Sequence, residues 1–403
     1  MLRKRLLSKS LIFSPAWNSF KIFSEEKLES PEALRYNPKG LFPEPELFFT
    51  RLALKRKPMS TTVKIDLKDL SPDALIEFLA GMGKETFRAG QMMRWIYQRG
   101  VSDFAAMTDL AKTFRDELGQ RCYISSFSPE AVEVSFDGTR KFLFRLDDGK
   151  SIETVLIPME GGRNTLCIST QVGCAMQCSF CLTGTFGLER DLSAAEIVNQ
   201  VCAVRAQHAV DNIVLMGMGE PLHNLDNVVA ALQILYAPTG FDYGPRKVTL
   251  STAGLVPELY ELGRRIKVNL AVSLNATTDE VRNQLMPVNR RYPLKELIEA
   301  CREFPLAPRQ RVTFEYILIR DVNDSQADAR RLVKLLHGIK AKVNLIPFNE
   351  HAGSGFRQPT EAAMRSFQTY LLERQIVAVR RAGKGQDISA ACGQLKGRLE
   401  DKQ

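Results

Sequence analysis

Short apolar runs and amphipathic stretches alternate along the chain after Gly161. Six runs are apolar throughout or nearly so, and the stretches between them carry apolar residues three and four positions apart. The runs predict buried strands and the stretches predict helices. Buried strands joined by helices indicate a parallel sheet that is covered on both faces. The predicted strands are 165–169, 212–216, 247–251, 268–274, 311–319 and 342–347, and the predicted helices are 193–206, 224–235, 255–264, 293–303 and 325–337, with a last helix and strand at 360–373 and 376–379.

A period-two alternation of apolar and polar residues precedes this region. It extends over residues 131–157 and is interrupted by Asp-Gly pairs at 137–138 and 148–149. Asp-Gly between alternating runs is typical of hairpin turns. We therefore predict a three-stranded β-meander, whose third strand carries Glu153.

Residues 63–120 have helical spacing instead. Signals for the start of a helix occur at Ser71, Lys84 and Ser102, and apolar residues three and four positions apart follow them. We expect three short helices that form a small module.

Residues 1–58 lack regular periodicity. The first 24 residues carry five basic residues and no acidic one, which is the composition of an organelle transit peptide. The regular pattern begins just after Met59, so we interpret 1–58 as a dispensable or mis-assigned leader, with organelle targeting as the alternative. We expect this leader to be poorly ordered.

Composition is that of an ordinary globular protein. A chain of 403 residues is long enough for two or three domains, and no apolar run is long enough to cross a bilayer. Eight cysteines, three of them clustered, do not resemble a secreted disulfide framework. A reducing compartment is therefore expected, and we predict a cytoplasmic protein.

The net charge of +9 favours a polyanionic partner, but its distribution weakens the inference. Residues 1–60 hold twelve basic and six acidic residues, so only three of the nine excess positive charges belong to the remaining 343 residues. RNA binding would then depend on local pairs. These pairs are Arg264-Arg265, Arg290-Arg291, Arg309 with Arg311, and Arg380-Arg381 with Lys384.

Three cysteines, Cys174, Cys178 and Cys181, fall within eight residues. Three thiolates can bind one metal centre, but they do not complete a four-iron cluster or a tetrahedral zinc site. Another ligand must fill the last position. The spacing favours an iron–sulfur cluster and leaves open a Cys3His zinc site, with His208 or His223, or three buried structural thiols.

The Cys-x3-Cys-x2-Cys spacing is that of radical S-adenosylmethionine (SAM) enzymes. Three further segments are similar to the RlmN branch of the RlmN/Cfr RNA methyltransferases, and the resemblance extends from about Val63 to Leu395. These segments are Thr165-Leu-Cys-Ile-Ser-Thr-Gln-Val-Gly-Cys174, Gly217-Met-Gly-Glu-Pro221 and Ala390-Ala-Cys-Gly-Gln-Leu395.

This resemblance implies an α/β fold built on a partial (β/α)6 barrel. It also implies a [4Fe-4S] cluster on Cys174, Cys178 and Cys181, whose open iron is chelated by SAM. We divide the chain accordingly. The segments are a leader at 1–58, a helical accessory RNA-binding domain at 59–125, a β-meander linker at 126–160, a radical SAM core at 161–382 and a tail at 383–403 that carries Cys392.

Small and polar residues stand where the predicted strands end. Glycines allow a ligand to approach the backbone, and a carboxylate can receive the SAM amino group. Taken alone, these positions are equally consistent with tight turns and helix caps. The resemblance assigns them to SAM, and the implied contacts are Gly219, Glu220, Ser251, Ser273, Leu274, Asn275 and Asn349.

Glu153, Cys167 and Cys392 are the implied reacting residues. The resemblance implies that Cys392 takes a methyl group from one SAM, that a 5′-deoxyadenosyl radical from a second SAM activates it, and that its carbon adds to an adenosine. Glu153 would remove the C2 proton, and Cys167 would attack the Cys392 sulfur to release the product and form a disulfide. From the residues alone, two buried thiols and a surface carboxylate fit equally well.

The implied reaction is methylation of adenosine C2 in 23S rRNA and in tRNA, at the adenosine 3′ of the anticodon. It requires an electron donor and a thiol reductant, and we expect a monomer that does not bind membranes. Two alternatives stay open, a Cfr-like methyltransferase acting on adenosine C8 and a zinc-stabilised RNA-binding protein without catalysis.

Overall fold

The computed structural model describes residues 64–351, 353–381 and 383–397. The predicted leader at 1–58 lies outside these residues. In chain order the strands are β1 (Ile65–Asp66), β2 (Cys122–Tyr123), β3 (Pro129–Val134), β4 (Arg140–Arg145), β5 (Ser151–Pro158), β6 (Asn164–Cys167), β7 (Gln171–Gly173), β8 (Leu188–Asp191), β9 (Asn212–Leu215), β10 (Val248–Thr252), β11 (Asn269–Ser273), β12 (Val312–Leu318), β13 (Ala341–Pro347) and β14 (Val377–Arg380). The helices are α1 (Pro72–Gly81), α2 (Phe87–Met93), α3 (Lys112–Arg121), α4 (Leu182–Thr185), α5 (Ala194–Arg205), α6 (Leu225–Tyr236), α7 (Val256–Arg265), α8 (Asp279–Leu285), α9 (Leu294–Glu303), α10 (Gln326–Leu335) and α11 (Glu361–Glu373).

The N-terminal module is held together at its ends, where β1 pairs in parallel with β2. Ser71 caps α1 by accepting a hydrogen bond from the Ala74 N–H (3.2 Å). The predicted third helix at Ser102 is wrong. Asp103 caps only a short 3-10 turn through the Ala105 N–H (2.9 Å), and the turn ends at Met107, whose side chain is fully buried. The third helix, α3, begins later.

A ten-stranded sheet forms the centre of the protein, in the order β14-β13-β12-β11-β10-β9-β6-β5-β4-β3. Within this sheet, neighbouring strands on the side from β6 to β14 are parallel, and neighbouring strands on the side from β3 to β6 are antiparallel. Strands β7 and β8 form a separate two-stranded sheet. Within the described residues β3 and β14 do not pair, so the sheet stays open. This agrees with the prediction of an α/β fold whose barrel is partial.

The predicted meander extends this sheet. Its third strand, β5, pairs antiparallel with β6, and the register places Val155 opposite Cys167. Because side chains alternate across a strand, Val155 and Glu153 lie on the same face of β5. The meander therefore brings Glu153 into the sheet that carries Cys167.

Strand β12 illustrates how the sheet separates core from cavity. Phe314, Tyr316 and Leu318 are fully buried, and the Tyr316 ring packs 5.4 Å from the ring of Phe367 on α11. The alternate residues Thr313 and Glu315 face the opposite side and line a cavity. The apolar core thus lies between the sheet and its helices, and the inner face is left for polar residues.

The tail after β14 reaches across to the β3–β4 turn. Ser135 Oγ and the Phe136 N–H donate hydrogen bonds to the Asp387 carboxylate (2.6 and 3.2 Å). The Gly385 N–H donates to Asp137 Oδ2 (3.0 Å). Side-chain hydrogen bonds, rather than strand pairing, therefore connect the two edges of the sheet. Among the described residues, no helix is long and apolar enough to span a bilayer.

Candidate active site

A cavity of about 1290 Å³ opens on the inner face of the sheet. Cys167 from β6 and Cys392 from the tail both line it. Its described lining also contains nine arginines and lysines against three acidic residues. The predicted basic groups around Arg309 and Arg381 are part of this lining, whereas Arg264 on α7 pairs with Glu261 instead. The cavity therefore combines two thiols with a positively charged wall.

The three clustered cysteines lie on the loop between β7 and α4. The loop is fixed by hydrogen bonds from the Cys181 N–H to the Cys178 carbonyl (3.1 Å) and from the Ser179 N–H to the Leu285 carbonyl (3.0 Å). At Gly173, φ is +77°, and a Cβ there would lie 1.9 Å from the Gly187 carbonyl oxygen. Only glycine therefore allows β7 to turn directly into the loop.

The environment of these thiols fits a metal cluster. Burial raises the pKa of Cys174 to about 12. Burial also raises the pKa of Cys178, and the neighbouring Cys181 and Cys174 raise it further. Three buried thiolates whose charges oppose one another need positive charge to exist, and the irons of a [4Fe-4S] cluster provide it. The fully buried Arg282 acts in the same direction, because its charge lowers the pKa of Cys178.

Neither candidate zinc histidine joins the cysteines. The His208 ring packs 6.0 Å from the ring of Phe142. His223 Nδ1 lies 3.0 Å from Gln171 Nε2 and 3.9 Å from Asp191 Oδ1. In the part of the chain that the structure describes, no three His, Cys, Asp or Glu side chains come close enough to hold a single metal ion. A four-iron cluster binds each cysteine through a different iron, so its thiols need not converge on one point.

The predicted SAM residues at the end of β9 form a tight, buried turn. At Gly219, φ is +103°, and a Cβ there would lie 2.6 Å from the Gln171 Cβ. The Glu220 carboxylate accepts hydrogen bonds from the N–H groups of Leu222 (3.0 Å) and Ala253 (2.6 Å). Burial raises the pKa of Glu220 to about 7. The turn therefore presents a desolvated carboxylate beside the cysteine loop.

The strand ends of β10 and β11 hold the other predicted SAM residues. Ser251 and Ser273 are half-buried, and Leu274 is fully buried. Asn275 is buried, and its side chain is committed to the protein. Its Oδ1 accepts from the Ile317 N–H (2.9 Å), and its Nδ2 lies 3.3 Å from the Met286 sulfur. In this conformation the Asn275 side chain connects the end of β11 to β12.

The tail lies against the cysteine loop. The Leu182 N–H donates to the Gly393 carbonyl (2.7 Å) and Thr183 Oγ1 to the Leu395 carbonyl (2.7 Å). Asn349, a predicted SAM contact, donates from Nδ2 to the Cys392 carbonyl (3.2 Å). These contacts place Cys392 between the cysteine loop and the cavity.

Cys392 lies close enough to Cys167 to affect the pKa of its thiol. Cys392 is exposed to the cavity, yet the surrounding walls desolvate its thiol and raise its pKa. Burial raises the pKa of Cys167, and the nearby Cys392 raises it further. The Arg381 guanidinium lowers the pKa of both thiols. The structure thus brings together two cysteines that are 225 positions apart in the sequence.

Glu153 is buried, not on the surface. Its Oε2 accepts hydrogen bonds from the N–H groups of Lys396 (2.6 Å) and Gly397 (3.0 Å). Its Oε1 lies 3.2 Å from Lys141 Nζ, which also pairs with Glu133 (2.8 Å). In this conformation the carboxylate therefore anchors the tail.

Sequence reasoning missed Arg282 and Lys141. Arg282 donates to the carbonyls of Leu274 (3.1 Å) and Ala253 (2.7 Å) and so joins the ends of β10 and β11. It lies on α8, a two-turn helix whose few buried positions give no apolar period. Lys141 could have been found from the sequence. It is a charged residue within an apolar strand and lies on the same face of the sheet as Glu153, which indicates a buried ion pair.

Sequence profiles of two families match the chain. The ribosomal RNA large subunit methyltransferase N-terminal domain matches residues 65–124. The radical SAM superfamily matches residues 168–333. The first match covers the module from β1 to β2, and the second contains the cysteine loop.

Curated relatives are similar over most of the chain. The dual-specificity RNA methyltransferase RlmN of Syntrophotalea carbinolica is 70% identical over 341 residues, which are 85% of this chain and 92% of the relative. That of Geobacter sulfurreducens is 60% identical over 83% of this chain and 93% of the relative. Among solved structures, a radical SAM methyltransferase from Sphaerobacter thermophilus matches with a TM-score of 0.77 at 45% identity, covering 83% of this chain and 100% of that one.

Proposed function

Since the chain belongs to the RlmN family of dual-specificity RNA methyltransferases, we propose that it methylates C2 of adenosine in 23S rRNA and tRNA with Cys392, Cys167 and Glu153. The observation that carries the residue assignment is that Cys392 and Cys167 line one cavity, while the tail that carries Cys392 is hydrogen-bonded to α4 directly after the cysteine loop. Adenine C2 lies between two ring nitrogens and is electron-poor, so it does not attack a SAM methyl group as a nucleophile. A residue that carries the methyl group is therefore needed.

Cys174, Cys178 and Cys181 would hold the [4Fe-4S] cluster, with Glu220 and its glycine turn beside the position of SAM. When bound, the cluster supplies one electron to SAM, which provides the radical chemistry that C2 requires. The role of the chain is to place a methylated sulfur beside the position of SAM. Cys392 fits this role because the tail holds it between the loop and the cavity.

Cys392 loses its thiol proton and forms a thioether with the incoming methyl group. After the methyl group has lost one hydrogen atom, its carbon bonds to C2. The adduct then loses the C2 proton and one electron, which returns to the donor that supplied it, and this leaves enzyme and RNA covalently linked. A Cys167 thiolate then attacks the Cys392 sulfur. The S–S bond forms, the carbon–sulfur bond breaks, and its electron pair stays on the carbon, which takes up a proton to become the product methyl group. The disulfide needs two electrons from a thiol reductant before the next cycle.

Glu153 is proposed as the base that removes the C2 proton. In the conformation described above, its oxygens are engaged by Lys141, Lys396 and Gly397. Removal of the proton therefore requires the tail to leave Glu153 first. The basic lining of the cavity supports RNA binding. Four further statements stay predictions: the electron donor, the thiol reductant, the monomeric state and the cytoplasmic location.

The test is anaerobic reconstitution with iron, sulfide and SAM, followed by incubation with unmodified 23S rRNA or tRNA. Nuclease digestion and chromatography should then show 2-methyladenosine, and peptide mass analysis should show methylated Cys392. Formation of 8-methyladenosine alone would contradict the proposal.

Glu153→Gln should loosen the tail. The substitution leaves Lys141 with one carboxylate and weakens the acceptor of the Lys396 and Gly397 N–H groups. Hydrogen exchange of tail peptides should become at least about tenfold faster, as for loss of one charge-assisted hydrogen bond. Glu133→Gln is the matched control, because it also removes a partner of Lys141 without touching the tail. Equal effects in both variants would show that Glu153 does not anchor the tail.

A further inference from the structure

Glu315 is a buried carboxylate with an unused acceptor. It lies on β12 with 5% of its surface exposed. Its Oε1 accepts a hydrogen bond from Asn344 Nδ2 (2.8 Å). Its Oε2 is buried and has no hydrogen-bond partner among the described residues. Buried acceptors are almost always paired, so an unpaired one indicates a place for a donor from a ligand.

Glu315 belongs to the lining of the cavity of the two cysteines. Glu315, Cys167 and Cys392 all line it, and the charge of Glu315 is close enough to raise the pKa of Cys392. Of the predicted SAM residues, only Asn349 is part of the described lining. We therefore expect the hydrogen-bond donor for Glu315 to come from the RNA base that receives the methyl group, and not from SAM.

We propose that Glu315 recognises the Watson–Crick edge of the methylated adenine and accepts a hydrogen bond from its N6 amino group. This inference rests on the proposed function. Along this edge of adenine, the N6 amino group, N1 and C2 follow one another. An adenine whose C2 faces Cys392 therefore turns its amino donor toward the same wall of the cavity.

The same carboxylate rejects guanine. Guanine presents a carbonyl oxygen where adenine has the amino group, and two acceptors repel each other in a buried site. Burial raises the pKa of Glu315, although Arg381, Asn344 and Lys342 oppose this. Glu315 is thus a specificity-determining residue.

The test compares RNA that carries adenosine at the methylated position with RNA that carries purine riboside there, which lacks the amino group. Wild-type enzyme should methylate the purine riboside RNA with a kcat/KM about tenfold lower, as for loss of one buried hydrogen bond. Glu315→Ala should lose this discrimination. Glu315→Gln should keep most of it, because an amide both accepts from N6 and donates to N1. Comparing the ratio of the two kcat/KM values between variants cancels the different intrinsic reactivity of the two bases.

Thr249→Val is the control, because Thr249 lines the same cavity from β10; it should discriminate like the wild type. The adenine of SAM has the same edge, so SAM affinity is measured separately by equilibrium dialysis without RNA. A tenfold loss of SAM affinity in Glu315→Ala with unchanged RNA discrimination would overturn the inference, as would a Glu315→Gln variant without discrimination. Failure of wild-type enzyme to form 2-methyladenosine would instead refute the proposed function.

Discussion

Cys167→Ala is expected to leave RNA covalently attached to the protein through Cys392. Without the second thiol, no described residue of the cavity lining other than Cys392 carries a thiol, so the carbon–sulfur bond to the RNA is not broken. Denaturing electrophoresis of the reaction should show a protein band shifted by the mass of the RNA. Nuclease treatment should remove most of this shift, and the peptide that contains Cys392 should then carry the mass of one nucleotide. The yield of free methylated RNA should fall below detection.

Cys392→Ala should be equally inactive but form no such adduct, because it cannot take up the methyl group. Cys122→Ala serves as the control, since Cys122 is also buried but lies in the N-terminal module. It should release product at nearly the wild-type rate. Normal product release by Cys167→Ala would contradict the role given to this thiol.

Cys178→Ala should abolish both cluster binding and methylation. Two thiols remain on the loop, and they cannot hold a four-iron cluster that leaves one iron open for SAM. Anaerobically purified wild-type protein should be brown with about four irons per chain, whereas the variant should be colourless with less than one. Cys202→Ala, on α5, is the control and should retain iron. A wild-type protein that contains one zinc and no iron would exclude the radical mechanism.

The barrel strands were predictable because the residues that pack against the helices, such as Phe314, Tyr316 and Leu318 on β12, are apolar and give each strand a signal. The pattern placed β9 through β13 within one or two residues of their observed bounds. It failed where the signal is short or non-local. Helix α8 spans two turns, and its central buried residue is Arg282, so no apolar period marks it.

The candidate site shows the same division. The cysteine loop is local and could be recognised from three residues. The contact of Glu153 with Lys396 joins residues 243 positions apart, and no spacing rule connects them. Likewise, residues 167 and 392 could be paired only through the family resemblance. Glu315 was hidden inside a strand that reads as almost entirely apolar, and only its orientation toward the cavity distinguishes it.

The connection between the β3–β4 turn and the tail affects how large a substrate the protein can admit. These few hydrogen bonds lie at the surface or are only partly buried, so releasing Asp387 and Asp137 from their partners costs little compared with separating two paired strands. We expect this connection to open more readily than any strand pair, and so to let a larger substrate into the cavity that Asp137 lines. None of the ten strands needs to give up a neighbour when this happens.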